Sequence, residues 1–122
     1  MSHIVEIKTQ VKDVAAVQAA CRRLKLAEPQ QRTVKVFTTE ATGLSVQLPE
    51  WTYPIVCDTS TGEVKFDNFG GAWGQQSHLD HFLQAYTVEK AKLEARRQGY
   101  TATEQLLANG SIQVSIHVGG AA

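Results

Sequence analysis

The side chains in this 122-residue sequence that could do chemistry gather in one stretch, DNFGGAWGQQSHLDHF, residues 67–82. It holds Asp67, Gly70, Gly71, Trp73, Gly74, His78, Asp80 and His81. Glycines let backbone N–H groups approach an anion at a helix start, so a phosphate loop is one candidate. The Gly-Lys-Ser/Thr ending is absent, however, and GGAWG does not fit Gly-x-Gly-x-x-Gly. Only a simpler anion site at the helix start is left. Metal binding is the second candidate. His78 and His81 are three apart and share a helix face. Zinc takes three or four such ligands, and a third would have to come from Asp67, Cys57 or His117. The third candidate is a hydrolytic triad, for which Cys57, His81 and Asp67 have the right types. Cys57 lies in the apolar run PIVCD, where burial disfavours a thiolate. An architectural role competes with all three. In it, Gly70, Gly71, Trp73 and Gly74 make a tight left-handed joint between a strand and a helix, with Trp73 folded back onto the core. Asp80 then serves as a first-turn anion in a Ser77-x-x-Asp80 capping arrangement. We prefer this role, which leaves no catalytic residue and no cofactor expected.

The flanking elements follow from periodicity. HIVEIKT, residues 3–9, alternates as a strand does. In KDVAAVQAACRRLKL, Val14, Val17, Cys21 and Leu24 recur at helical spacing with Ala20 beside them. Asp13 caps that helix, Arg22, Arg23 and Lys25 suit its C-terminal dipole, and Pro29 stops it. TVKVFT and LSVQLP are strands, with a turn at Thr42-Gly43. EWTY, between Pro49 and Pro54, is irregular. There an exposed Trp51 and Tyr53 would anchor a partner as readily as they would pack inside. PIVCD and EVKFD form a hairpin through TSTG, with Val64 and Phe66 on one face. The helix from Ser77 carries Leu79, Phe82, Leu83 and Tyr86 in one stripe and Val88, Ala91 and Ala95 in another. This predicts a bend or a new packing partner near Thr87. Gly99 caps its end. Asn109-Gly110 turns a last hairpin, whose return strand directs Ile112, Val114, Ile116 and Val118 inward. The expected fold is α+β, a mostly antiparallel sheet of about six to seven strands with two helices on one face, in the order β-α-β-β-β-β-α-β-β. Residues 1–118 form the single domain and 119–122 a tail.

Twelve basic and twelve acidic residues cancel. A nucleic-acid partner is therefore disfavoured, since such proteins carry a basic excess. The cations Arg22, Arg23 and Lys25 with Lys90, Lys92, Arg96 and Arg97 could merge into a local patch, but Glu89 and Glu94 interrupt it. No apolar run reaches the ~18 residues of a membrane span. The start lacks the pattern of a secretory signal, so a cytoplasmic site is expected, or a stromal one in a plastid. Cys21 and Cys57 match no zinc-finger spacing and are expected as buried free thiols.

Three stretches carry a resemblance: MSHIVEIKTQVKD, YPIVCDTSTGEVKFDNFGGAWG, and ARRQGY with NGSIQVSI. Together they resemble the hypothetical chloroplast reading frame thirty-five family of plastids, cyanobacteria and other bacteria. The likeness covers most of the chain and is poor between Glu28 and Glu50. It implies a single cytoplasmic or stromal domain and supplies no activity and no catalytic residue. The expected function is that of a noncatalytic accessory or adaptor protein that binds another protein, with self-association as one form. The alternative is a small enzyme or a metal- or ligand-binding protein with its site around Asp67, Trp73, His78 and His81.

Overall fold

Asp13 opens the first helix, α1 (Val14–Arg23): its Oδ1 accepts from the Ala16 N–H at 3.1 Å. In this computed structural model, which describes residues 10–36 and 39–118, α1 ends earlier than Pro29. Lys25 enters the left-handed region (φ 58). The Leu26 N–H then reaches the Cys21 carbonyl at 2.8 Å and the Lys25 N–H reaches Arg22 at 3.1 Å. This is the Schellman arrangement, with a lysine where glycine is usual. The buried face is Ala16, Val17, Ala20 and Cys21, while Val14, expected inside, is exposed.

Four strands follow: β1 (Gln30–Val36), β2 (Thr39–Val46), β3 (Ile55–Asp58) and β4 (Glu63–Lys65), an antiparallel sheet in sequential order. The turn expected at Thr42-Gly43 is corrected. The register pairs Val36 with Thr39 at one end of the two strands, and Thr42 faces Thr33 in mid-strand. Gly43 is there for close approach: a Cβ on it would meet the Cys57 carbonyl oxygen at 2.5 Å. The β3–β4 hairpin forms as expected. The Asp58 carboxylate accepts from the Ser60 N–H and hydroxyl, and Gly62 adopts φ 84.

The second helix, α2 (Gln76–Arg97), is continuous through Thr87, and Gly99 (φ 80) closes it with the Tyr100 N–H on the Ala95 carbonyl at 2.8 Å. The change of partner is what occurs. Leu79, Phe82, Ala85 and Tyr86 join the main core, whereas buried Val88 and Ala95 lie outside it. Beyond α1, α2 packs against the last hairpin, β5 (Thr101–Leu106) and β6 (Ile112–His117). That hairpin is a separate two-stranded sheet, so the single sheet of six to seven strands is corrected to four plus two among the described residues. Ile112 and Val114 are half-buried, but Ile116 and Val118, expected inside, are exposed. The expected strand at residues 3–9 and the tail at 119–122 lie outside the described residues.

One core holds the assembly together. Leu44, Val46, Ile55 and Cys57 share a sheet face by register, and both helices cover that face. At ~25 cal/mol per Å², each such aliphatic side chain contributes roughly 1.5–3 kcal/mol. Tyr86 ties helix to helix with its ring buried and its hydroxyl accepting from the Lys12 and Asp13 N–H groups at 3.1 and 3.0 Å. No helix among the described residues is long and apolar enough to cross a membrane.

Candidate functional site

The joint between β4 and α2 is built on Trp51. Its ring is 4 % exposed, and its indole N–H donates to the Gln75 carbonyl at 3.1 Å. Gly74 lies against the indole so closely that any Cβ there would overlap Trp51. The Thr52 N–H also joins the two loops, donating to the Trp73 carbonyl at 2.8 Å, and each loop is braced within itself, by the Asn68 amide on the Gly74 carbonyl at 3.2 Å and by the Gln47 amide on the Trp51 carbonyl at 2.7 Å. Trp51 is thus a core residue and not an exposed anchor, which corrects one of the two roles open to it. Trp73 is corrected in the opposite sense. It is half-buried at the surface, stacked on Phe69 (centroids 4.7 Å, 22°) and met edge-on by Tyr53 (5.5 Å, 73°).

The glycines act as the architectural role requires. Gly70 (φ 61) and Gly71 (φ 105) sit in a short 3₁₀ turn, Phe69–Gly71, with open space around them. Phe69 itself is held at φ 47, and the Asp67 carboxylate accepts its N–H at 3.0 Å. The result is a cluster of Tyr53, Phe69 and Trp73 on the outside, with Phe69 65 % exposed. Phe66, 41 % exposed, lies beside it, edge-on to Trp51 at 5.9 Å. Such an outward stack does nothing for the core, and an exposed aromatic patch is how many proteins meet a partner. Phe66 and Phe69 were not singled out from the sequence. The available signal was three large aromatics within eight residues of a glycine turn, more than one joint can bury.

The polar candidates do not converge. Asp67 is occupied with its own turn. His78 and His81 line a different recess, of about 100 Å³, with Leu24, Leu26, Leu48 and Pro49. His117 lies on β6, with its Nε2 3.5 Å from the Thr103 hydroxyl. Among the described residues no three His, Cys, Asp or Glu side chains gather as a metal site. Cys57 is buried, and that burial pushes its thiol up to about 12; Cys21 is raised to about 11 for the same first reason. Neither is a nucleophile in this setting. The Ser77-x-x-Asp80 cap is corrected: α2 starts at Gln76 after Gln75, with no side-chain cap, and Asp80 accepts from the Gln76 amide instead.

Four of the seven cations named above, Arg23, Lys90, Lys92 and Arg97, are held in ion pairs. Arg23 grips Glu104 with two N–H groups, and Lys92 reaches both Glu104 (3.1 Å) and Glu89 (3.4 Å). The paired cations, Arg23 first, hold the Glu104 carboxyl down at about 2. From the same C-terminal half of α2, Lys90 and Arg97 meet Asp13 (3.1 and 2.8 Å) and Glu94 (2.8 and 3.0 Å). Arg22 donates to its own helix, at the Gln18 carbonyl. Glu89 and Glu94 thus interrupt the cations, and the paired ones form two networks that clamp α1, α2 and β5.

The fold and this surface define a small α+β protein with an exposed aromatic cluster and buried thiols. No protein-family profile, no curated protein and no solved structure matches the chain.

Proposed function

We propose that the protein is a noncatalytic binding module that recognises another protein through Tyr53, Phe66, Phe69 and Trp73. The observation that supports it is the outward Phe69–Trp73 stack, fixed over buried Trp51, with Phe69 65 % exposed. Rigid aromatic side chains with solvent on one side are the commonest anchors of protein interfaces. The balance of twelve basic and twelve acidic residues favours a protein over a nucleic acid, because there is no basic excess to displace counterions from phosphates. The alternative of a catalytic or ligand site around Asp67, Trp73, His78 and His81 has less support, since these side chains serve three different local arrangements. A cytoplasmic or stromal location, and membership of the chloroplast reading frame family on the residues quoted above, belong to the same proposal.

The test is affinity capture from the native host with the wild-type chain and with Phe69→Ala. Wild type is expected to retain a specific partner that the variant loses, while both unfold at the same temperature. Equal capture by both chains refutes the proposal.

A further inference from the structure

Resting on the reading of the aromatic cluster as a protein-binding face, we infer that this face takes an arginine of its partner, with the guanidinium laid on the Phe69 ring and paired with the Asp67 carboxylate. One turn holds ring and acid together: Asp67 Oδ1 accepts the Phe69 N–H at 3.0 Å. A carboxylate has about four acceptor positions, so that bond leaves it able to receive a guanidinium. Among the described residues Asp67 makes no ion pair, whereas Asp13, Glu89, Glu94 and Glu104 each meet a cation. The Phe69 ring stacks on Trp73 and is still 65 % exposed. A cation over an aromatic ring is attracted by its negative face.

Charge decides which partner suits the surface. The chain is neutral as a whole, but its charges are not evenly spread. The stretch from Glu50 to Asp80 carries all four rings of the cluster. It holds the acids Glu50, Asp58, Glu63, Asp67 and Asp80 and, beside them, the single lysine Lys65. Ser60 first, and Lys65 after it, hold the Asp58 carboxyl below its usual range, so even that lysine faces an acid. A cationic segment is drawn to such a surface and an anionic one is repelled. Lysine satisfies the charge but not the geometry. Guanidinium is planar, stacks flat on a ring and offers a fork of donors to a carboxylate, while ammonium is a point charge.

The experiment is NMR titration of the ¹⁵N-labelled protein with short synthetic peptides that alternate glycine with arginine, with lysine or with glutamate. We expect saturable shifts of the Asp67 and Phe69 amides with the arginine peptide, weaker binding of the lysine peptide and none of the glutamate peptide. Asp67→Asn keeps an oxygen for the Phe69 N–H and removes the charge. It should weaken the arginine peptide about fivefold, the scale of an exposed ion pair, with no change in unfolding temperature. Phe69→Ala should abolish the binding. No binding of the arginine peptide, lysine or glutamate bound as tightly, or an Asp67→Asn chain that binds like wild type would each overturn the inference. Capture from the native host separates it from the reading it rests on. A partner lost by Phe69→Ala and kept in full by Asp67→Asn leaves the protein-binding face standing and overturns only its arginine.

Discussion

Asp13 is asked to do two jobs, and they can be separated. It caps α1 through the Ala16 N–H, and it receives Arg97 at 2.8 Å and Lys90 at 3.1 Å from α2. Arg97 first, together with Lys90 and the Ala16 N–H, outweighs the opposing cost of burial and holds the carboxyl at about 2, against 3.8 for a free aspartate. A fall of that size corresponds to about 2.5 kcal/mol. The two cations are 38 % and 49 % exposed, so solvent and salt screen the pairs, and about 1 kcal/mol is the working figure. Asp13→Asn keeps a good cap and removes the charge, so it should cost that ~1 kcal/mol at pH 7 and low salt. Asp13→Ala removes the cap as well and should cost about 1 kcal/mol more. Urea unfolding followed by circular dichroism measures both. Because the folded pKa lies below the unfolded one, the stabilisation is complete above about pH 4 and is lost as pH falls toward 2. Wild type should therefore lose its advantage over Asp13→Asn across that window. An Asp13→Asn protein as stable as wild type at pH 7, with a parallel acid limb, would refute the role assigned to the pair.

Gly74→Ala should destabilise by roughly 1–3 kcal/mol in the same urea assay, because the added methyl overlaps an indole that is buried and hydrogen-bonded and has nowhere to move. Cys21 and Cys57, with thiols raised to about 11 and 12, should react with a thiol reagent at pH 8 only as fast as the protein unfolds. Two reactive equivalents in the native protein would show that the core opens locally.

Much of the fold was legible because local signals agreed. Asp13 before a helical stripe, TSTG between two apolar runs and Gly99 after α2 each name one structure, and each forms where expected. Gly43 misled because glycine marks turns and close strand approaches alike, and only the neighbouring Cys57 carbonyl decides between them. Trp73 misled and Trp51 stayed open to either role for a similar reason: which indole is buried depends on Gly74 standing opposite Trp51 across the fold, a contact between distant residues. Val14, Ile116 and Val118 had the right period but lie at or beside the ends of their elements, where they are exposed. At the candidate site, the spacing of His78 and His81 was visible, whereas the Pro49 carbonyl that orients His78 was not, since 29 residues separate them.

The stitching of residues 47–54 to residues 68–75 has a consequence for recognition. Its hydrogen bonds form when the chain folds, so the backbone that carries the aromatic rings is already fixed before any encounter. Ordering flexible side chains at an interface costs about 0.5–1.5 kcal/mol each. A surface that is already ordered avoids most of that cost, so the dwell time of a complex formed there would reflect ring contact more than loop freezing.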